Sequence, residues 1–95
     1  KEVPSDLLLN RETLLNWFLD DGSLSTKGGI YLATDCFNLN SLTILQNKLG
    51  NLNLDSTLHK NGNGFRIYFT KNETNKFFDI IGSCPVETFS YKWNR

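Results

Sequence analysis

The feature that most constrains the fold is the stretch from Leu14 to Gly22, in which apolar side chains at helical spacing run directly into two carboxylates and a glycine. Asn10 is a suitable N-cap and Gly22 a suitable C-cap, which predicts a helix from Arg11 to about Asp20. Almost no side of this helix is polar. The helix therefore needs apolar cover on more than one face.

The acidic end of this helix is electrostatically unusual. The last turn of a helix presents unpaired carbonyl groups and a partial negative charge, so acidic side chains there cost up to roughly 1 kcal/mol. Asp20 and Asp21 fit this position better beside a cation, since Mg²⁺ and Ca²⁺ take carboxylate and carbonyl oxygens as ligands. The alternative is an ordinary solvated turn, in which Asp before Gly is common. We treat the pair as a candidate metal site.

The length of 95 residues and the apolar fraction of 39% predict one small domain, residues 1–95, with a core of marginal size. In so small a domain, an apolar helix is expected to be shared with a second copy or a second domain. We expect a soluble chain without a membrane partner, since no apolar run could cross a bilayer and no signal-peptide pattern occurs. Because the chain begins without Met, we expect a fragment, a processed product or a trimmed chain.

Two cysteines, Cys36 and Cys84, lie far apart and have no Cys or His at ligand spacing. This spacing argues against a zinc site. Free thiols in a reducing compartment are the expectation, and a structural disulfide is the alternative.

The rest of the chain alternates between hairpins and helices. A short strand over Ser23 to Lys27 precedes a glycine turn, and residues 30–35 alternate at period two, with Ile30, Leu32 and Thr34 on the core side. A second helix follows Asn38 and ends at Gly50. Alternation from Leu52 onward and the sequence 61–64, Asn-Gly-Asn-Gly, predict a second hairpin. A third helix, from about residue 72, completes αββαββα: an α+β fold, an antiparallel sheet with helices on one face.

The outward face of this sheet is a candidate nucleic-acid surface. A net charge of zero counts against nucleic-acid binding, because phosphate contacts usually require surplus Lys and Arg. The acidic residues fall mostly on helices and termini, however, which leaves the sheet face mildly basic and aromatic, as suits a nucleic-acid groove. An ordinary solvated face is the alternative. The candidate binding residues are Lys27, Tyr31, Asp35, Thr57, His59, Lys60, Arg66 and Tyr68.

With these pieces in order, the chain resembles one repeat of the LAGLIDADG homing endonuclease family over nearly all of its length. Residues 14–22 match the signature helix, in the variant closed by Trp-Phe-hydrophobic-Asp-Asp-Gly. Val3-Pro4, residues 29–34, residues 64–69 and Tyr91-Lys92 match in the same order. The nonamer is loosely specific alone, and the ordered blocks together make a strong match.

The resemblance implies a site-specific DNA endonuclease that hydrolyses phosphodiester bonds with a divalent metal, Mg²⁺. It implies that Asp21 is the catalytic metal ligand, with Asp20 beside it, and that Lys92 is a basic residue near the active site. It also implies a saddle of two sheets over the major groove of double-stranded DNA, with the first helix packed against a second LAGLIDADG half. The interface residues so implied are Leu14, Leu15, Asn16, Phe18 and Leu19.

Several alternatives stay open. The second half is a homodimer mate or a separate or missing N-terminal half. The leading arm with Val3-Pro4 and the tail with Lys92 resemble the C-terminal half of a two-repeat protein more closely. Asp35 stands where the family often has an amide, and Asn16 replaces a small residue. Asp35 is expected to repel phosphate or, less simply, to bind metal. These departures leave room for a catalytically inactive, RNA-binding domain of a splicing maturase or an organellar assembly such as a ribosome.

A third alternative is a pure interaction domain that docks a protein partner through its first helix. The frequent residues Asn, Lys, Phe, Ile and Tyr have AT-rich codons. The expected location is therefore an organelle, mitochondrion or chloroplast, with phage or bacterial cytoplasm as the alternative.

Overall fold

The computed structural model describes residues 7–82 and Trp93, and this part of the chain contains three helices and four strands in the predicted order αββαββα. All strand pairs are antiparallel, and the order across the sheet is β1-β2-β4-β3, so β2 and β4 are interior. The elements are α1 Arg11–Asp21, β1 Gly22–Leu24, β2 Ile30–Leu32, α2 Leu39–Asn51, β3 Thr57–Asn61, β4 Gly64–Phe69 and α3 Lys71–Ile81.

Side chains cap the first two helices where the sequence predicts. The Asn10 side chain accepts the Thr13 backbone N–H at 3.0 Å, and the Thr13 hydroxyl accepts the Asn10 N–H at 2.8 Å, which completes a capping box. Asn38 likewise accepts the Ser41 N–H at 2.8 Å. Each cap satisfies a donor that the helix leaves free and is worth roughly 1 kcal/mol.

The second hairpin turns at the predicted place. Asn61 pairs with Gly64, which leaves a two-residue loop, and Gly62 in that loop has a φ of 61°. The resulting register pairs Leu58 with Ile67 and places both on the helix side of the sheet. The alternation of the strands therefore gives one buried face and one outward face.

The core lies between the helices and the inner face of the sheet. Phe18 of α1 packs edge to face against Phe77 and Phe78 of α3, with ring centroids 5.6 and 5.3 Å apart, and Trp93 meets Phe18 at 5.2 Å. Each such pair adds about 0.5–1.5 kcal/mol beyond the area it buries. Within residues 7–82, no helix is long and apolar enough to cross a membrane. The buried apolar residues are Leu14, Phe18, Ile30, Leu32, Leu42, Leu45, Leu49, Leu54, Ile67, Phe69, Phe77, Phe78 and Ile81.

The first strand differs from the prediction of Ser23 to Lys27. It begins at Gly22, directly after α1, and ends at Leu24. A Cβ atom at Gly22 would overlap the ring and carbonyl oxygen of Phe18, so the helix can turn into the strand this closely only at glycine. The residues after Leu24 form the turn instead, where the Ser25 N–H donates to the Gly29 carbonyl at 2.8 Å.

The segment from Leu52 to Ser56 also differs, because it is not a strand. The second helix continues to Asn51, and the N–H groups of Leu52 and Leu54 both donate to the Leu49 carbonyl. Asn53 between them has a φ of 64°, a conformation that Asn tolerates better than most residues. The third strand consequently starts at Thr57.

Candidate functional site

The outward face of the sheet carries a row of side chains across all four strands. The register aligns Ser23 with Tyr31, Tyr31 with Tyr68, and Tyr68 with Thr57. A second row begins at His59 and Arg66, which are also directly paired. Because paired residues point to the same side of a sheet, these residues share one surface, as predicted. We call this surface, formed by Ser23, Tyr31, Thr57, His59, Arg66 and Tyr68, the outward face.

Three rings in the middle of the outward face contact one another. The His59 ring stacks on Tyr68 with centroids 4.5 Å apart and an interplanar angle of 28°, and Tyr31 meets Tyr68 at 4.8 Å. The Tyr31 hydroxyl lies 3.3 Å from His59 Nδ1, within hydrogen-bond distance. The rings therefore hold one another in place and present aromatic faces and polar edges to a ligand.

At one end of the outward face, Asp35 bridges two elements. Asp35 Oδ2 accepts a hydrogen bond from Asn61 Nδ2 at 2.7 Å, and Asp35 Oδ1 lies 3.5 Å from Arg66 Nε. The side chains of Asp35 and Arg66 are each 39% exposed. Solvent therefore weakens this ion pair, but the carboxylate still balances the positive charge of Arg66 locally.

The two predicted lysines do not join this group. Lys27 is exposed in the turn between β1 and β2, where its N–H donates to the Ser25 hydroxyl at 3.2 Å. Lys60 pairs with Phe65, which packs against the core, so Lys60 lies on the helix side of the strand. Lys60 therefore does not share the side of His59, and its predicted contact with nucleic acid from the strand end stays a prediction.

Asp20 and Asp21 lie exposed at the end of α1, whose last turn contains no basic residue. The Asp21 carbonyl accepts the Ala33 N–H at 3.0 Å, which extends the β1–β2 ladder to the end of the helix. Within residues 7–82 and Trp93, neither carboxylate forms an ion pair or accepts a hydrogen bond. The helix end is thus fixed to the sheet while its two acidic side chains face solvent.

The carboxylates of Asp20 and Asp21 suit a metal ion that takes its other ligands from outside this chain. Among residues 7–82 and Trp93, no three His, Cys, Asp or Glu side chains cluster tightly enough to hold an ion by themselves. Mg²⁺ typically uses one or two protein carboxylates and completes its octahedron with phosphate oxygens and water. The residues Asp20 and Asp21 fit this requirement.

The first helix has fully buried, partly buried and exposed positions. Leu14 and Phe18 have no exposed surface, so the prediction that they lie at an interface with a second half is wrong: both belong to the core of this chain. Leu15 and Leu19 are partly buried and Asn16 is exposed. Contact of these three residues with a second half stays a prediction.

Asn61 is a further candidate site residue that the sequence analysis did not identify. Asn61 follows Thr57 and His59 at period two on the same strand, a pattern that would have placed it on the outward face. Its contact with Asp35 spans 26 positions in sequence, which no local pattern indicates. Lys92 lies outside the described residues, although Trp93 donates from Nε1 to the Gly82 carbonyl at 2.8 Å.

Comparisons with known proteins agree with this geometry. The family described as "LAGLIDADG DNA endonuclease family" matches residues 1–77. An uncharacterized protein of Methanocaldococcus jannaschii is 42% identical over 92 residues, which cover 94% of this chain and 32% of that protein. A protein of Mycosarcoma maydis named "Probable intron-encoded DNA endonuclease 3" is 30% identical over 89 residues, covering 92% of this chain and 65% of that protein. The chain thus spans less than two thirds of either relative.

A solved structure shows the same fold. The homing endonuclease I-WcaI, bound to its DNA recognition sequence, superposes with a TM-score of 0.88 and 24% identity, covering 97% of this chain and 45% of that one. At this identity the likeness shows the fold alone, and it confirms the predicted α+β half-unit. The family match over most of the chain shows that the protein belongs to the LAGLIDADG DNA endonuclease family.

Proposed function

We propose that this chain is one half of a site-specific DNA endonuclease that hydrolyses phosphodiester bonds with divalent metal. The observation that supports this most directly is the hydrogen bond from the Ala33 N–H to the Asp21 carbonyl. It joins the carboxylate pair to the sheet. A polynucleotide that lies along the outward face is therefore brought beside two carboxylates.

The outward face suits double-stranded DNA. Neighbouring strands lie about 4.8 Å apart. The major groove is about 12 Å wide and admits a two-stranded β-ribbon. The interior strands β2 and β4 supply Tyr31, Arg66 and Tyr68 to this face. The names of two similar proteins add support, since one is named a probable intron-encoded DNA endonuclease and the other was solved bound to its DNA recognition sequence.

In this proposal Asp21 is a metal ligand and Asp20 assists it. Bound Mg²⁺ would supply Lewis-acid stabilisation of charge on the phosphate oxygens and a water of lowered pKa. The two side chains would hold the ion as ligands, and neither would attack the phosphate. Lys92, which lies outside the described residues, is proposed as the basic residue that stabilises charge near the same site.

A second half completes the proposed enzyme. The chain covers 45% of the I-WcaI chain, close to one half. The side of α1 that carries Leu15, Asn16 and Leu19 is the surface proposed to meet the other half, whether a second copy or a different repeat. Each half then contributes one carboxylate pair at the seam.

Cleavage of a DNA library tests the proposal. A plasmid library with randomised inserts is incubated with the assembly of both halves and Mg²⁺, and linear products are sequenced. We expect cutting within one long target, and Asp21→Asn should reduce the rate by at least about 100-fold, the scale on which losing an electrostatic contribution acts in catalysis. Asp79→Asn makes the same charge change on the exposed side of α3 and should cut normally. Equal cutting by the Asp21 variant removes that residue from the mechanism.

A second candidate is an inactive RNA-binding domain, of a splicing maturase or an organellar ribosome. The Asp35–Arg66 pair favours it, because a carboxylate on the face weakens phosphate contacts of the kind that duplex DNA requires. The half-buried rings of Tyr31 and Tyr68 would then stack on unpaired bases. In that case Asp21→Asn leaves RNA binding and splicing intact, whereas Arg66→Ala weakens both. The name of the fungal relative supports an origin in a mobile intron and a proposed organellar location.

A further inference from the structure

Arg66 belongs to the outward face, near the end at which Asp35 lies. It lies on β4, an interior strand, directly opposite His59 of β3. If the sheet lies in a groove, interior strands face the floor, where base edges are exposed, and the outer strands approach the phosphate walls. The position of Arg66 therefore favours contact with a base over contact with a phosphate.

One end of the guanidinium group is already covered. Arg66 Nε is buried and has no hydrogen-bond acceptor among the described residues, although Asp35 Oδ1 lies 3.5 Å away. The side chain as a whole is 39% exposed. Since Nε is inaccessible, the polar atoms that can reach a ligand are the two terminal nitrogens.

Asp35 is itself held in place. Its second oxygen accepts from Asn61 Nδ2 at 2.7 Å, and its backbone lies against Gly64, where a Cβ atom would overlap the Asp35 carbonyl oxygen. The carboxylate therefore cannot follow a moving guanidinium group without breaking the Asn61 contact. It restricts the orientations that Arg66 adopts.

We propose that Arg66 reads a guanine in the major groove and that Asp35 and Asn61 position it for that contact. Two parallel N–H groups of an arginine match the O6 and N7 acceptors of guanine, and no other base pair presents this pattern in the major groove. Asp35 is a positioning residue, which acts through Arg66. This inference rests on the proposed function, because it assigns a base to the surface proposed to bind DNA.

The charge of Asp35 distinguishes this role from phosphate binding. A carboxylate near a phosphate contact repels the ligand, whereas a carboxylate behind a base-reading arginine fixes the guanidinium group and faces no phosphate. The same side chain that lowers general affinity thus raises selectivity for one base.

The test is equilibrium binding of the two-half assembly to double-stranded DNA, without divalent metal so that no cutting occurs. A site selected from a randomised library is compared with its single-base variants over a range of salt concentrations. We expect a required guanine at one position of the half-site. Arg66→Ala should abolish that preference and weaken binding to the guanine site by about 5- to 150-fold, with other positions unchanged.

Two further variants separate charge from geometry. Arg66→Lys keeps the charge but cannot form the bidentate contact, and it should lose the guanine preference while retaining general affinity. Asp35→Asn should lower the preference several-fold and strengthen binding to unrelated DNA. Lys48→Ala removes one positive charge from α2 and serves as the matched control, expected to keep the preference.

Two results would overturn the inference in different ways. If Arg66→Ala weakens all sequences equally and lowers the salt slope by about one, Arg66 contacts a phosphate. If Asp35→Asn leaves the base preference unchanged, Asp35 does not position Arg66. A wild-type assembly that binds no DNA at all would instead refute the proposed function itself.

Discussion

The two faces of the sheet are built from the same strands, but they are held together differently. On the helix side, Phe77 is fully buried and its ring contacts Phe18, Phe69 and Phe78. On the outward face, the rings are half-buried or exposed and polar contacts join side chains from different strands. Burial of apolar surface is the main source of stability. The comparison therefore assigns stability to the inner face and leaves the outward face free to meet a ligand.

The strongest challenge to this comparison is the removal of an inner aromatic ring. Phe77→Ala should lower the free energy of unfolding by about 3–5 kcal/mol, through lost burial and the cavity left behind. Urea denaturation followed by circular dichroism measures the change. Tyr68→Ala, on the outward face, is the matched variant and should cost about 1 kcal/mol. Similar losses at both positions would mean that the two faces do not differ as argued.

A second challenge concerns the join between α1 and β1 on the inner side. Gly22→Ala should destabilise the fold by about 1–3 kcal/mol, because the new methyl group would overlap Phe18 and force a shift. Gly50→Ala is the control: a Cβ atom there meets nothing within 4 Å, and the helical position should gain about 0.5–1 kcal/mol. Thermal unfolding of both variants measures these two changes in stability. A neutral Gly22 variant would show that the join is not tight.

The outward face can be examined through the coupling of His59 and Tyr68. Their stacked rings should have an interaction energy of about 0.5 kcal/mol, at the low end for aromatic pairs, because both side chains meet solvent. A double-mutant cycle with alanine at each position measures this coupling in urea denaturation. A coupling well above 1 kcal/mol would mean that the outward face also contributes substantially to stability.

The smallest expected effect is a pH dependence of the free energy of unfolding, caused by Glu73 at the edge between the two faces. The pKa of Glu73 lies below its ordinary value of 4.5, chiefly because its carboxylate accepts the Asp55 N–H at 2.8 Å; burial opposes this lowering, and Lys76 adds to it. The group therefore contributes stability above pH 4.5, and this contribution is lost as pH falls through the lower pKa of the folded state.

Unfolding free energies measured between about pH 6 and about pH 3 test this expectation. Glu73→Gln should flatten the acid part of the curve relative to the wild type. A variant that loses stability on acidification as steeply as the wild type would show that Glu73 contributes nothing to the pH dependence.

Much of the fold follows from local patterns. Alternation placed Ile30, Leu32 and Thr34 on the inner side, and all three are fully buried. The capping asparagines fixed the starts of two helices. The errors occurred where tertiary contacts override local preference. The first strand begins inside the predicted helix cap, at Gly22, because pairing with Leu32 competes successfully with further turn structure.

The candidate site was predictable only in part. Parity alone separated Thr57, His59, Arg66 and Tyr68 from the core, and the register confirms that separation. Alternation also places Lys60 on the helix side with Leu58, whereas its selection as a binding residue used only its nearness to the strand end. The sequence could not indicate that Phe18 is covered by α3, because that contact joins residues about sixty positions apart.

The hydrogen bond between the Ala33 N–H and the Asp21 carbonyl fixes the distance between the sheet and the acidic end of α1. A backbone contact, unlike a flexible loop, sets a constant offset between what the strands touch and where the acidic side chains stand. In the proposed enzyme, the distance from a recognised base to the broken bond is consequently a property of the main chain. Exchanging side chains on the strands would then change the DNA sequence that is recognised. The distance from the recognised bases to the broken bond would stay the same.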